Sequence, residues 1–455
     1  MSPLYSFFAL IVALFGTGTP GSRTTTRQDK AELPLISLTG PLQIKSSARI
    51  VPGSYTTPST AGKAVIEIDA DNVVLDLTGV TLSGGAHQPW DREGWGVHAA
   101  NHSHITIRGG TIRGYRYGIF IQGGEDVRVI GSDVSENRSQ KLLSTESKYD
   151  GGDWIDIFHL DAWESYGAGL YLKDIRGAFL EKLLAHHGQN GIMLSSTTHA
   201  TIHQCDVSHN SGWGIALFRS TWNELLDNQA DWNVRCEGKN YSAGCDSAGI
   251  LLIDGSSHNR IVGNSFIHSG DGYFVSKPET GASSDFNFVA FNDGSYSPHN
   301  AFESTFTSHD EFYHNVADHS DYGFWMGFSR DTTVTDNHVE GSKRDGIAIE
   351  HGSGNIIARN QILKNGTSGI RLFRRQPVPD PSRDYSILEN QIDGNPIGII
   401  LDQTFDATIT GNAFADNGVG VRVQNASSRV VLRANQFSPA GAPAVEANPP
   451  GAVQE

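Results

Sequence analysis

The chain has 455 residues, 51 of them glycine, and only 18% of its residues are charged. This composition favours a turn-rich all-β protein over a helical one. The formal charge of −16 argues against non-specific binding to nucleic acid and against adhesion to anionic membranes, because both present negative charge. A locally basic groove on such a chain can still bind an anionic substrate.

The N-terminal residues 1–22 are predicted to be a secretory signal. Their apolar stretch, residues 7–15, is too short to cross a bilayer and is followed by small residues up to Ser22. No later stretch is apolar enough for a membrane span. We therefore expect a secreted or periplasmic protein, and in that oxidising environment Cys236 and Cys245 are candidates for a disulfide, whereas Cys205 should be buried.

Repeats with a period in the twenties dominate the rest of the chain. Residues 23–63 are interpreted as a linker and an N-terminal cap, residues 64–437 as the repeats, and residues 438–455, rich in Pro, Ala and Gly, as a disordered tail. A small residue followed by alternating apolar residues recurs at Gly96, Gly118, Gly169, Gly191, Gly214, Gly249, Gly272, Ala301, Gly323, Gly346, Gly369, Gly398 and Gly420. Strands at this period predict a β-solenoid.

A second recurring residue is an asparagine, at Asn264, Asn292, Asn315, Asn337, Asn360, Asn390 and Asn412. In stacked coils these amides should form a ladder, each hydrogen-bonded to the next coil. The pattern resembles that of the right-handed parallel β-helix superfamily, with its Asn-Gly-x-Gly-Ile type of repeat. The resemblance implies an all-β right-handed parallel β-helix, here of about thirteen coils. Pectate lyases, polygalacturonases, alginate epimerases, phage tailspikes and NosD-like proteins share that fold, so it leaves the function open.

Departures from the period locate a groove. The extra residues 276–285 and 374–383 both follow a predicted strand, so the two loops should leave the solenoid at the same corner and bracket three short coils. Grooves on solenoids bind polymers. The longer insertion, residues 138–166, is predicted to form a short helix or a lid.

Charged and aromatic side chains concentrate on the outward face of these coils. Glu303 and Glu350, two coils apart, are candidates for the acid and base of catalysis, with His299 or His351 assisting. The substrate-binding candidates are Trp325 as a platform for a sugar ring, together with Arg371, Lys277, Arg344, Asp271 and Asp345. A uronate carboxylate would need such cations before a base could remove the neighbouring proton. Ser-Pro-His-Asn at 297–300 resembles the Asp-Pro-His-Asp stretch of alginate epimerases in its Pro and His only.

The first hypothesis is therefore an exported polysaccharide lyase, epimerase or glycoside hydrolase that works as a monomer in a groove over residues 272–375. An alternative is a non-catalytic NosD-like periplasmic protein that binds a metal or a partner, and a third is a structural rod. A Ca²⁺ cofactor is an open possibility, since Asp271, Asp321 and Asp345 offer oxygen ligands.

Overall fold

Each repeat forms one coil of three short strands, and the coils stack so that every strand pairs in parallel with its equivalent in the next coil. The structure, a computed structural model, describes residues 32–145, 147–238, 241–242, 244–438, 444–448 and 453–454. The residues described from Pro34 onwards form one compact unit. The predicted signal, residues 1–22, lies outside the described residues.

The first sheet has sixteen parallel strands, one in each coil. They are Leu42–Ile44, Ala64–Ile68, Trp95–Ala100, Tyr117–Gln122, Ala168–Lys173, Asn190–Ser195, Trp213–Phe218, Ala248–Ile253, Asp271–Ser276, Asn300–Ser304, Tyr322–Gly327, Asp345–Glu350, Ser368–Phe373, Ile397–Asp402, Val419–Gln424 and Val445–Ala447. Two of these strands, Leu42–Ile44 and Val445–Ala447, lie outside the predicted bounds 64–437. A third, Ala64–Ile68, has Val65 in place of the bend glycine, so the sheet has three strands more than the thirteen repeats recognised in the sequence.

The second sheet has seventeen strands. The first of them precedes Leu42–Ile44, and each of the others follows a strand of the first sheet. They are Leu35–Ile36, Ala48–Ile50, Val74–Asp76, Ile105–Arg108, Glu125–Ile130, Arg176–Glu181, Thr198–His203, Glu224–Leu226, Arg260–Val262, Phe288–Ala290, Glu311–Tyr313, Thr333–Thr335, Ile356–Ala358, Ser382–Leu388, Thr404–Thr410, Ser428–Arg433 and Val453–Gln454.

The third sheet consists of two parts. The first contains Gly53–Thr56, Val80–Ser83 and Thr111–Arg113, and the second contains His338–Glu340, Gln361–Leu363, Gln391–Asp393, Ala413–Ala415 and Gln436–Ser438. Single-residue bridges, one per coil from Asp133 to Val316, join the two parts. A small hairpin pairs Glu237–Gly238 with Tyr241–Ser242, and short helical segments occur at Pro89–Asp91, Gly151–Asp153, Leu160–Ser165 and Gly244–Asp246. No helix among the described residues is long and apolar enough to span a membrane.

The core confirms the predicted alternation. The inward residues of each first-sheet strand, such as Ile192, Leu194, Ile215 and Leu217, are fully buried in one continuous apolar cluster. Stacking is therefore what removes the apolar face of each coil from water. The small residue at each bend is also explained, because a Cβ on Gly323 would lie 2.5 Å from the carbonyl oxygen of Gly346 in the next coil.

The predicted asparagine ladder is confirmed as well. From Asn264 to Asn435, each side-chain oxygen accepts hydrogen bonds of about 3 Å from the backbone N–H and the amide of the asparagine one coil before it, starting with Asn228 as the first donor. A parallel ladder runs through Asn223, Asn259 and Asn287. These buried amides satisfy backbone groups at the turns, where no strand can do so.

Candidate active site

The insertion at 138–166 covers the first part of the outer face of the first sheet. Its helix Leu160–Ser165 places Trp163 against Trp213, with ring centroids 4.5 Å apart and both rings fully buried. Outward side chains of the strands below, including Tyr171 and Met193, are buried in the same apolar cluster. The insertion therefore acts as a wall, and the open part of the face begins after it.

The predicted disulfide between Cys236 and Cys245 is present, with the two Cα atoms 5.5 Å apart, and Cys205 is buried as expected. The backbone N–H of Ile155, in the insertion, donates a hydrogen bond of 3.3 Å to the carbonyl of Cys245. The disulfide thus holds the next residue, Asp246, between the insertion and the open face.

The open face is a ladder of outward side chains in register. Phe274, Glu303, Trp325, Ala348 and Arg371 occupy equivalent positions in five successive coils. The loops 276–285 and 374–383 both leave directly after strands of the first sheet, at the corner predicted. The site is therefore a shallow groove with its floor on the strands Asp271–Ser276 to Ser368–Phe373.

At the start of these strands the structure brings Asp271, His299 and Glu303 together. The Nδ1 of His299 donates to Oδ1 of Asp271 over 2.9 Å, and the backbone N–H of Asn300 donates to the same oxygen over 3.0 Å. The Asn300 amide donates to Oε2 of Glu303 over 2.5 Å, and this oxygen lies 3.8 Å from Nδ1 of His299. The side chain of His299 is 37% exposed and that of Asp271 only 2%, so His299 can present Nε2 to a ligand while Asp271 orients the ring.

Burial and the neighbouring charges displace the pKa values of this cluster. Burial alone would lower the pKa of His299, but the attraction of the Asp271 carboxylate and its hydrogen bond outweigh this and raise it to about 10. Burial, with repulsion by Asp271, raises the pKa of Glu303 to about 8. Burial and the same repulsion raise the pKa of Asp246 to about 7. Near neutral pH the cluster accordingly holds an imidazolium beside an uncharged Glu303.

Aromatic and cationic side chains occupy the next coils of the same face. Trp325 lies 4.9 Å from Tyr322 and 6.0 Å from Phe373, measured between ring centroids. The guanidinium of Arg375 lies 5.7 Å from the Trp325 ring, and that of Arg371 lies 4.6 Å from the Phe373 ring. Such an arrangement offers a stacking surface for a sugar and positive charge for an anionic substituent.

Two other predicted substrate-binding residues line the entry side of the groove. Arg344 pairs with Asp321 over 3.2 Å, and its guanidinium lies 5.4 Å from the ring of Tyr322. Asp345 is buried, accepts a hydrogen bond of 2.6 Å from the Ser368 hydroxyl and lies 4.0 Å from Arg371. Asp345 thus positions Arg371, while Arg344 remains largely exposed.

The predicted pairing of Glu303 with Glu350 does not occur. Glu350 is in register with Gly327, two residues beyond the Glu303–Trp325 position, so the two backbones are separated by two coils and two residues, roughly 12 Å. Glu350 instead lies 3.6 Å from Arg375 and 3.7 Å from His351. It belongs to the support of the loop 374–383.

His351 is a structural residue of that loop rather than a reactive one. Its buried ring donates from Nδ1 to the carbonyl of Asp380 over 2.7 Å and accepts at Nε2 from the backbone N–H of Arg375 over 3.0 Å. Both ring nitrogens are therefore engaged. The remaining predicted residue, Lys277, lies in the other loop, away from the cluster.

Sequence reasoning missed the contributions of Asn300 and Asp246. Asn300 follows His299 directly and donates hydrogen bonds to both Asp271 and Glu303. Asp246 stands just before the strand Ala248–Ile253, in a coil interrupted by the cysteine-bounded loop, where the regular spacing is lost. Aligning the strand entries places Ala248 opposite Asp271, so Asp246 falls two residues before the position that carries Asp271.

The same cluster meets the spacing of a cation site. One ligand atom each from Asp271, His299 and Glu303 lies within 4.8 Å of the others. Carboxylate and imidazole ligands suit Zn²⁺, Cu²⁺ and related ions, whereas Ca²⁺ prefers an all-oxygen shell. The donor set therefore fits a transition metal better than the Ca²⁺ considered from the sequence.

Two family models match successive parts of the chain. Residues 93–266 match the right-handed beta helix region, and residues 284–438 match the periplasmic copper-binding protein NosD. No curated protein matches the chain by sequence.

Several solved structures resemble the chain in fold. The Dettilon tailspike protein aligns at 16% identity and a TM-score of 0.46, covering 76% of this chain and 59% of its own. The A-module of mannuronan C-5 epimerase AlgE4 from Azotobacter vinelandii aligns at 12% identity and a TM-score of 0.37, covering 90% and 91%. The periplasmic alginate epimerase AlgG, as a double mutant, aligns at 13% identity and a TM-score of 0.40, covering 80% and 76%. The stacked parallel sheets and the two family models together show that this chain belongs to the right-handed parallel β-helix superfamily.

Proposed function

We propose that the chain is a polysaccharide lyase that acts on uronate polymers. The observation that carries this proposal is the cluster of Glu303 and the Asp271–His299 pair at the floor of a groove that also contains arginines and stacked aromatic rings. A carboxylate with a raised pKa beside an imidazolium provides a base and an acid within one site.

In the proposed reaction, ionised Glu303 removes the proton from C5, next to the uronate carboxylate. Arg375, whose guanidinium lies 5.7 Å from the Trp325 ring in the coil next to Glu303, neutralises that carboxylate, so that the negative charge developing on it is stabilised. The imidazolium of His299 then donates its Nε2 proton to the glycosidic oxygen on C4. The C5–H and C4–O bonds break, a C4=C5 double bond forms, and a new chain end departs.

The position of the two groups favours elimination over the other reactions considered. Glu303 and His299 belong to one strand and its entry, four residues apart, so they reach the same face of a sugar ring. The best substrate is therefore a unit whose C5 hydrogen and C4 oxygen lie on one face. Epimerisation would need a proton donor on the opposite face. Hydrolysis would need a second carboxyl group free to act beside Glu303, whereas Glu350 is directed to the loop and the Asp271 side chain is 2% exposed and hydrogen-bonded to His299.

The proposal is tested by incubating the purified protein with a panel of polyuronates and neutral glucans while recording both new reducing ends and the ultraviolet absorbance of an unsaturated uronate. We expect both signals from at least one polyuronate. Glu303→Gln should lower the rate by at least about a hundredfold, the usual contribution of a general base, without a change in circular dichroism. Reducing ends without absorbance would instead indicate hydrolysis.

Metal binding is a second candidate function, supported by the three ligand atoms within 4.8 Å of one another and by the NosD model, which spans His299 and Glu303. A metal carrier would show a thermal midpoint raised by Cu²⁺ or Zn²⁺, an effect that His299→Ala removes. An unchanged midpoint with either metal would refute it.

Export is proposed together with this activity. The Cys236–Cys245 disulfide is typical of proteins in an oxidising compartment, and the matched NosD family is periplasmic by name. The expectations of a monomer and of no nucleic-acid partner remain predictions.

A further inference from the structure

A cavity lies at the opposite end of the groove from His299. Its volume is about 380 Å³, and it opens where the chain turns out of the first sheet. It is lined by Lys277, Ser283, Asp285, Phe306, Thr307, Ser308, Phe328, Arg330 and Asp380. The two long loops, 276–285 and 374–383, supply its two side walls.

Both walls are tied to the coils between them. The Asp285 carboxylate accepts hydrogen bonds of 2.6 Å from the Ser308 backbone N–H and from the Ser283 hydroxyl. On the other side, Asp380 is held through its carbonyl by His351 and through its carboxylate by Arg330, at 3.6 Å. The walls of the cavity are thereby fixed before any ligand binds.

The floor of the cavity is aromatic, and the lining cation that has no ion-pair partner among the described residues is Lys277. Phe306 and Phe328 stack with centroids 4.6 Å apart, and His351 extends the stack at 4.8 Å. Both lining carboxylates are already engaged, as is Arg330. Within the described parts of the chain, no acidic side chain lies within ion-pairing distance of the Lys277 ammonium, which leaves it available to an anion.

The cavity and the reactive cluster lie on one line along the strands. The chain from His299 through Glu303 to Phe306 passes directly from the cluster to the cavity, a path of roughly 20 Å. The neighbouring coil follows the same course from Tyr322 through Trp325 to Phe328. This line is longer than two sugar rings and runs across the helix axis.

On this basis we infer that the polymer lies along the strands, perpendicular to the axis of the β-helix. The cavity is then a distal subsite for a uronate unit that lies several sugar units from the cleaved bond. Lys277 binds the carboxylate of that unit, and Phe306 and Phe328 contact its ring. This inference rests on the proposed function. It implies that the protein cleaves longer chains much better than short ones.

The test compares wild type and Lys277→Gln on uronate oligosaccharides from disaccharide to octasaccharide, with Lys182→Gln, on an exposed lysine outside the groove, as the matched control. In wild type and control, kcat/KM should rise steeply once the oligosaccharide can span both sites. In Lys277→Gln that rise should be about tenfold smaller, as expected from the loss of one charge-assisted contact. Calorimetric binding of the same oligosaccharides to Glu303→Gln, with and without Lys277→Gln, should show the same dependence in Kd.

The possible results separate the two proposals. An equal length dependence in Lys277→Gln and wild type overturns the distal subsite while leaving the lyase activity in place. Absence of both turnover and binding for every uronate oligosaccharide overturns the lyase activity and the subsite with it. Binding that depends on length and Lys277, without turnover, supports the subsite and refutes the proposed chemistry.

Discussion

Asp310 interrupts one of the buried amide ladders, and its replacement by asparagine should stabilise the protein. Its side chain is fully buried at the position that Asn223, Asn259 and Asn287 occupy in preceding coils, and its Oδ1 accepts a hydrogen bond of 2.8 Å from the Asn287 backbone N–H. Burial raises the pKa of Asp310 to about 7. Asp310→Asn keeps the acceptor and removes the buried charge.

The magnitude follows from the displaced pKa. Because the folded value lies about three units above the ordinary value of 3.8, the folded state holds this proton more tightly than the unfolded state. The contribution of protonated Asp310 to the free energy of unfolding is complete below about pH 4, declines as the pH rises and is lost above about pH 7. Each unit corresponds to about 1.4 kcal/mol, so ionised Asp310 costs up to about 4 kcal/mol at pH 8.

Thermal midpoints measured by circular dichroism from pH 5 to pH 8 test this reasoning. Asp310→Asn should exceed wild type by several degrees at pH 8 and by much less at pH 5. Asn259→Asp, which introduces a second buried acid into the same ladder, is the matched control and should lose stability most at pH 8. Equal midpoints for Asp310→Asn and wild type across this range would refute the assignment of a costly buried charge.

Two further predictions concern the groove. His351→Ala removes two hydrogen bonds that hold the loop 374–383, at Arg375 and at Asp380, and should raise KM severalfold and expose the loop to limited proteolysis. An unchanged cleavage pattern would contradict the anchoring role. Asp246→Asn removes a negative charge that raises the pKa of Glu303, and should therefore move the rising limb of the pH–rate profile to lower pH. A limb that stays in place or moves upward would show that Asp246 does not face the reactive cluster.

The fold was predictable because the same sequence pattern recurs in many successive coils. The apolar alternation, the bend glycines and the asparagines all recur at nearly constant spacing, so each confirms the others. The first and last coils were less accessible to this reasoning, since strands such as Leu42–Ile44 and Val445–Ala447 lack the repeat signature and are recognised only by their pairing.

The site was predictable in composition but not in its pairings. Asp271 and His299 are predicted from the coil entries and Glu303 from the outward face. The predicted pairing of Glu303 with Glu350 counts only their axial separation of two coils and leaves out their offset of two residues along the strand. The hydrogen bonds of His351 to the loop 374–383 could not be predicted, because that loop has no periodicity from which its fold could be inferred. Without them, the sequence predicts a catalytic role for His351. The short helix predicted within residues 138–166 is present as Leu160–Ser165, but the packing of Trp163 on Trp213 could not be predicted, since an insertion carries no repeat to align.

The dependence of kcat/KM on pH for unsaturated product formation tests the central claim most directly. Glu303 must be ionised to remove a proton, and His299 must be protonated to donate one. The rate should therefore rise as the pH passes about 8 and fall as it passes about 10. A rate that is greatest below pH 7, or a rising limb that persists in Glu303→Gln, would contradict the assignment of Glu303 as the base.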